Sequence, residues 1–437
     1  MQAPSRRDPE VLDIGSQEMH ISDVSITGVT RIRRSVLNEI TRPAFAATTV
    51  KEAIEELRYA AGKLELLGIA KRVQINLDKT DDDGVSVNLD CVDGGRYQIT
   101  TGVGASDHEG TANVIARLNN MWGGGESLEA NYARGTKTLG AFQGLLSVPV
   151  NADPLRKVEV MVHQATLDHR PYTGCDEVRR SASLAYKVSR DRGLHELVYT
   201  AAWRELTNLG VSASPSLRSE AGHTLKSSIA YTFTSDSRNS PTVPTAGNLV
   251  KASVELAGLG GDVQFVKTLA EVQANQAIGS GEGEKWSVTS SAQAGLLWGL
   301  AGRTPMADRF FVGGSTSVRG FEHRGIGPRD HADALGGDVF YAAGVSLLTP
   351  LPFVETSALR GHVFANAGQC ALLDGRGLQS KAQIKRFLVS PSTSVGVGLV
   401  YRHSIVRAEL SLCVPLMATS TDRLSPRLQF GLGFQFL

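Results

Sequence analysis

Beyond Arg96, hydrophobic and polar residues alternate one by one in short segments separated by glycine or polar turns. The pattern is clearest near the end. In 404–414 the even positions are Val406, Ala408, Leu410, Leu412 and Val414, and the odd ones include Arg407, Glu409 and Ser411. In 426–437 the even positions are Leu428, Phe430, Leu432, Phe434 and Phe436, against Arg427, Gln429, Gly431, Gly433 and Gln435. Successive side chains of a strand point to opposite faces, so a period of two predicts strands. Sixteen segments follow: 96–105, 111–121, 126–136, 139–149, 156–167, 176–188, 193–206, 223–234, 247–258, 261–273, 285–298, 338–349, 359–369, 392–402, 404–414 and 426–437. No helix is expected in this stretch. A soluble antiparallel sheet shows the same alternation with its apolar face on a core. Two considerations favour a membrane. The segments have the length a tilted spanning strand needs, and an even strand number closes a sheet without leaving an edge in lipid.

Upstream the period changes. Residues 1–18 read as a mobile tail. Ile21, Val24, Ile26 and Val29 suggest a short strand closed by Gly28, and Ser35 is positioned to cap a short helix that stops before Pro43. Thr49-Val50-Lys51-Glu52 is a capping-box pattern, after which Ile54, Leu57, Ala61 and Leu64 recur at helical spacing up to Gly68. Val73, Ile75 and Leu77 alternate, Asp81-Asp82-Asp83-Gly84 reads as a turn, and Val85, Val87 and Leu89 alternate back. The order strand, helix, helix, strand, strand predicts a compact α+β unit over 19–94, ahead of the array at 95–437.

One stretch interrupts the array. Between the eleventh and twelfth segments lies a loop, 299–337, whose part from Phe310 to Gly337 reads FFVGGSTSVRGFEHRGIGPRDHADALGG. Its glycines, Ser, Thr and Pro328 suit irregular backbone. Val318-Arg319-Gly320-Phe321 sets a cation beside an aromatic across a glycine. Two readings are open: a loop folded back onto a polar inner wall, or a solvated surface loop with an ordinary arginine.

Composition narrows the function. Across 437 residues, 45 Lys and Arg balance 44 Asp and Glu for a net charge of +1, which gives no support to a nucleic-acid partner. No run of eighteen apolar residues exists to form a transmembrane helix, which leaves strand-spanning open. MQAPSRRDPEVLDIGSQE lacks an apolar core and reads as neither a secretory signal nor an Arg-rich transit peptide. Cys91, Cys175, Cys370 and Cys413 are far apart and read as unpaired packing residues. There is no P-loop, GxSxG elbow or HExxH helix, and His323 and His331 have no ligand partners at metal spacing. No cofactor, metal or enzymatic activity is expected. Gly123-Gly124-Gly125 is followed by no helix and reads as a strand turn, and Trp122, Trp203, Trp286 and Trp298 fall near strand ends, as in an interfacial girdle.

Three features together resemble one family. The unit at 19–94, with Val24-Ser25-Ile26-Thr27-Gly28 and Leu66-Leu67-Gly68-Ile69, is similar to a POTRA domain. The tetrad, preceded by Phe310-Phe311-Val312-Gly313-Gly314, lies in the long loop before the twelfth strand. Phe364-Ala365-Asn366-Ala367-Gly368 and Ser394-Val395-Gly396-Val397-Gly398-Leu399 resemble the two strands that follow in the BamA/Toc-type outer-membrane assembly superfamily. A single POTRA-like unit without a secretory signal resembles the central barrel of the mitochondrial sorting and assembly machinery. The fold class expected is mainly β, a 16-stranded transmembrane antiparallel β-barrel preceded by one small α+β domain.

The resemblance implies an insertase for β-barrel precursors in the mitochondrial outer membrane, with the N-terminal domain in the intermembrane space and metaxin-like peripheral subunits as partners. Its lateral gate would lie between the first strand (Gln98, Ile99, Thr100, Gly102) and the last. Gln429, Gly431, Phe434 and Phe436 fit the mitochondrial β-signal. Val318, Arg319, Gly320 and Phe321 would lock the loop against Phe364, Asn366 and Gly368. Many relatives carry Asp where Asn366 stands, so either the lock is softer here or Arg319 uses another carboxylate. A translocation pore of the same superfamily and a passive solute channel are the rival readings.

Overall fold

The structure is a computed structural model that describes residues 17–79, 84–105, 109–279, 286–351, 358–373, 381–403 and 406–433. The expected turn at Asp81–Asp83 and the apolar positions Phe434 and Phe436 lie outside the described residues.

The first five elements are β1 (Ile21–Thr27), α1 (Arg34–Phe45), α2 (Val50–Leu66), β2 (Ala70–Lys79) and β3 (Val85–Asp93). The strands form a sheet in the order β1-β3-β2, with β3 parallel to β1 and antiparallel to β2. Alternate residues of β3, Val87, Leu89 and Cys91, meet Ala53, Leu57, Ala60 and Leu64 from α2 and Val36 and Ile40 from α1 in one core. Burial pushes the Cys91 thiol up to about 11. Thr49 caps α2 by accepting from the Glu52 amide at 3.3 Å, but the Glu52 carboxylate reaches back to Thr48, one residue beyond the usual box. The expectation for α1 needs correction. Arg33, whose side chain makes no capping bond, is the N-cap, Ser35 lies inside the helix, and the helix runs through Pro43 to Phe45. Pro43 stands near the C-terminal end, where burial of Ile40 and Ala44 offsets its missing donor.

The same compact unit includes the turn around Gly123–Gly125. The Arg33 amide donates to the Gly123 carbonyl at 2.9 Å, and the Arg33 guanidinium pairs with buried Glu126. Gly123 and Gly125 adopt φ near +80°, as a tight strand turn requires.

The larger sheet has sixteen strands: β4 (Tyr97–Ala105), β5 (Gly110–Asn119), β6 (Ser127–Gly135), β7 (Thr138–Val150), β8 (Asp153–Asp168), β9 (Asp176–Arg190), β10 (Gly193–Thr207), β11 (Gly222–Asp236), β12 (Gly247–Ala257), β13 (Phe265–Ile278), β14 (Trp286–Gly299), then, after the short hairpin β15 (Arg329–Asp330) and β16 (Asp333–Ala334), β17 (Val339–Pro350), β18 (Leu359–Ala371), β19 (Ser392–His403), β20 (Val406–Met417) and β21 (Leu428–Gly433). Apart from the inserted hairpin, neighbours in the sheet are neighbours in the chain, from β4 at one end of the order to β21 at the other. Each matches one of the sixteen alternating segments to within a few residues.

Among the described residues, two α-helices interrupt the array where none was expected. Helix α3 (Pro215–Ser219) is one turn capped by Ser214, and α4 (Lys381–Val389) lies between β18 and β19. KAQIKRFLV holds no glycine or proline and is made largely of good helix formers. At nine residues it is too short to stand out against a strand period.

The sheet is inverted relative to a soluble one. Val345, Val363, Val397, Leu410, Leu412 and Phe430 are exposed, while Ser346, His362, Asn366, Glu409, Ser411 and Gln429 are buried. A soluble sheet buries the apolar set instead. Only a lipid solvent makes an exposed apolar face and a buried polar face both favourable. Val397→Lys, in the middle of β19, is therefore expected to destabilise the protein in a bilayer by about 2–4 kcal/mol. Val397→Leu should stay close to wild type, as read by denaturant unfolding in lipid vesicles.

Candidate functional site: the buried loop lock

The long loop is folded and has its own core. Phe310 and Gly337 exchange two backbone hydrogen bonds, each 2.9 Å, and Val312 bridges to Ile326. Phe310, Val312, Val318, Phe321 and Ile326 cluster with Phe265 of β13, Leu297 of β14, Phe340 of β17 and Cys370 of β18. A solvated surface loop would not bury five apolar side chains.

Arg319 is only 1% exposed. Burying a guanidinium is unfavourable unless its charge is paired and its donors are used. Its Nε donates to Glu409 Oε2 on β20 at 3.0 Å, and Nη1 donates to Asn366 Oδ1 on β18 at 3.1 Å. Its Cζ lies 4.8 Å from the centre of the Phe364 ring. Glu409 also pairs with Arg407. Asn366 is thus an ordinary hydrogen-bond acceptor, and the counter-charge comes from two strands further on.

The strand motif and the loop motif match residue by residue. Phe364, Asn366 and Gly368 share one face of β18 because they are two apart. Phe364 stacks on Arg319, and Asn366 accepts from it. A Cβ on Gly368 would come within 2.7 Å of the Val318 side chain. The Phe364 ring in turn lies over Gly396 of β19, where a Cβ would be 2.4 Å away.

The loop's backbone is held by the last three strands and the segment joining the last two. Gly320, at φ +85°, packs against Ser394 and Cys413. Its N–H donates to Gln429 Oε1 at 2.7 Å, and Gln429 Nε2 donates to the Phe321 carbonyl at 3.0 Å. One carboxamide of β21 therefore satisfies both the donor and the acceptor of a two-residue backbone segment. Ser394 donates its hydroxyl to the Arg319 carbonyl. The Glu322 amide donates to Arg423 O at 3.0 Å, Arg423 N to Gly325 O at 2.9 Å, and Ser425 N to Gly320 O at 3.1 Å. The loop thus adds a ribbon to the turn between β20 and β21.

The first-strand candidates do not meet this cluster. Gln98, Ile99 and Thr100 are exposed whichever face they point to, unlike their counterparts in the interior strands. Gly102 approaches Asn113 of β5, 2.5 Å from where its Cβ would stand. Among the described residues β4 and β21 each pair with a strand on one side only. Gly431 lies opposite Glu409 in the β20–β21 ladder.

The Omp85 superfamily domain matches residues 66–436. A SAM50-like protein of Schizosaccharomyces pombe is 33% identical over 95% of this chain and 90% of its own length. The human sorting and assembly machinery component 50 homolog is 32% identical over 98% of this chain and 92% of its own. The chain belongs to the SAM50 family of the Omp85 superfamily. The crystal structure of BamA from Haemophilus ducreyi lacking POTRA domains 1–3 superposes with a TM-score of 0.80, at 18% identity, over 95% of this chain and 84% of that one. CdiB from Acinetobacter baumannii superposes with a TM-score of 0.55 at 12% identity, over 95% of this chain and 73% of that one. The sixteen-stranded sheet is thus a BamA-like barrel, and its polar face is the lumen.

In this SAM50-family barrel, sequence reasoning missed Glu409, Arg407 and Ser394 as parts of the lock. One signal was available: Arg407 and Glu409 are charges on the polar face of a spanning strand, where an ionised side chain needs a partner. Arg319→Ala would leave Glu409 buried with Arg407 alone, and its loosening of the loop is expected to be about 3–5 kcal/mol. Gln429→Ala should cost about 1–3 kcal/mol by stranding Gly320 N–H and Phe321 C=O. Hydrogen exchange at residues 318–326 in the membrane-embedded protein measures both. Unchanged protection in Arg319→Ala would mean that the apolar cluster alone holds the loop.

Proposed function

We propose that this protein folds and inserts β-barrel precursors into the mitochondrial outer membrane, through a lateral gate between β4 and β21. The observation that carries this reading is that the sheet order ends in an exposed strand on one side and a tethered one on the other. Strand β4 is open on both faces, and β21 is held from inside by the Arg319 loop through Gln429. A free strand edge is normally a liability. Here it would template an incoming strand by main-chain hydrogen bonds, with alternate side chains choosing lumen or lipid.

The segment from Gln429 through Gly431 to Phe434 and Phe436 would carry the protein's own copy of the β-signal. The precursor's last strand would pair with β4 in its place, and later hairpins would follow. Burial of each apolar strand face in lipid would drive the process without a nucleotide. Arg319 and Phe321 would keep the loop in the lumen and shape the gate, and the coupling of the loop to β21 means that gate movement and loop movement are not independent. The N-terminal unit at 19–94 would act as a POTRA domain in the intermembrane space, and metaxin-like subunits would be the peripheral partners.

A disulfide scan tests the gate. Single cysteines at Gln98–Gly102 are paired with an arrested precursor that carries a cysteine in its last strand. Register-specific crosslinks that vanish when the precursor's β-signal glycine is changed support insertion at the seam. Crosslinks spread around lumen-facing positions would instead identify a translocation pore, and none at all would return a solute channel to consideration. Arg319→Ala should reduce client insertion severalfold while this barrel remains embedded; wild-type insertion in that variant would remove the loop from the mechanism. Deleting residues 19–94 should leave the barrel able to fold, as read by heat-modifiable gel migration.

A further inference from the structure

Helix α4 plays no part in the lock or the gate; it sits at the rim of the wall, where Gln383 and Phe387 line a cavity shared with Arg329 and Leu335 of the loop, and its anchoring contacts are on the outer face. Its anchor is Tyr341 of β17, whose hydroxyl donates to the Phe387 carbonyl at 2.9 Å and whose ring meets Phe387 edge-on at 5.2 Å. Tyr341 shares a face of β17 with exposed Ala343 and Val345, which is the lipid-facing side; Phe340, Ala342 and Ser346 face the lumen. Gln369 of β18 lies on the same outer face as exposed Val363 and Ala365, yet it is 8% exposed, and its Nε2 donates to the Ser390 carbonyl just after α4. The helix therefore rests on the outer face of the rim at the loop end of β17 and β18.

Its exposed apolar and cationic residues lie in adjoining stripes, with Val389 beyond the lysines. Phe387 is buried, whereas Ile384, Leu388 and Val389 are exposed. At 100° per residue, Ile384 and Leu388 form a stripe beside Phe387, and Lys381 and Lys385, both exposed, form the next stripe round. Trp298 is exposed on the same lipid-facing side, at the end of β14, next to β17. Indole and phenol rings favour the headgroup level. Trp298 and Tyr341 thus place the water–lipid boundary at the height of α4.

We propose that α4 is an interfacial helix that lies in the headgroup layer on the loop side of the membrane, with Ile384 and Leu388 against acyl chains and Lys381 and Lys385 on anionic phospholipid headgroups. The occupant is the bilayer surface, because the exposed apolar stripe adjoins the Phe387 contact with a lipid-facing residue and the neighbouring stripe is cationic. The proposal rests on the barrel and not on the gate, so it stands or falls separately from insertion.

The test uses the full-length protein in vesicles. All four native cysteines are buried, so Ile384→Cys and Leu388→Cys can be labelled with an environment-sensitive dye. Nitroxides at the lipid headgroup should quench both sites more than mid-chain nitroxides do, and Val397→Cys should show the reverse. Lys381→Glu with Lys385→Glu should abolish any gain in headgroup quenching on adding phosphatidylglycerol to phosphatidylcholine. Quenching by aqueous iodide with none by lipid nitroxides overturns the proposal in favour of a solvated helix. Shielding from both quenchers that arises only in the assembled complex overturns it in favour of a protein-docking surface. Hydrogen exchange of residues 383–389 in the unsubstituted protein gives a label-free check: equal rates in neutral and anionic vesicles would also overturn it.

Discussion

A guanidinium cannot be buried without partners, and the partners available to Arg319 decide where the long loop lies. Glu409 supplies the charge, Asn366 a hydrogen bond and Phe364 a π face. These groups come from β18 and β20, so satisfying one side chain ties the loop to two strands at once. Removing Glu409 would take the shared carboxylate from two buried cations, Arg319 and Arg407, and removing Arg319 would leave Glu409 to Arg407 alone; either change is costlier than the net worth of the pair. The constraint thus acts as geometry more than as stability: the loop has one place where its arginine is tolerated.

That placement brings Gly320 and Phe321 to the last strand. A left-handed glycine lets the backbone approach Ser394 and Cys413 closely, and its N–H then lies within reach of Gln429. The turn between β20 and β21 joins through Arg423 and Ser425. Loop and terminal hairpin form one hydrogen-bonded body inside the barrel, while the opposite end of the sheet order, β4, has exposed residues on both faces. This asymmetry between a held edge and an open edge is what a lateral gate would require.

The barrel wall imposes its own chemistry on everything attached to it. Polar side chains turn to the lumen and apolar ones to lipid, so an element resting on the outer face must offer the wall an apolar side chain and the membrane surface an amphipathic one. Helix α4 does both with nine residues. The N-terminal unit follows ordinary soluble rules, burying Leu57, Leu64, Val87 and Leu89 between helix and sheet.

The sequence by itself determined the strands and their faces. A period of two is local, and the odd–even split at Arg407, Glu409 and Leu410 reads the same in the chain as in the sheet. It also marked Val318–Phe321 and Phe364–Gly368 as matching motifs through their resemblance to a known family. It left open whether the alternating faces met lipid or a soluble core; the exposure of Val397 and Phe430 beside buried Gln429 settled that. It misplaced the start and end of α1, because packing of Ile40 and Ala44 overrides the local signal of Pro43. It missed α4, whose helix is short and is supported by the outer wall. It could not name the partner of Arg319, because Glu409 lies ninety residues further along the chain, and only the strand order brings β18, β20 and the loop to one point. Side-chain pairing across a barrel is fixed by register and closure, which are properties of the assembled sheet and not of any segment in it.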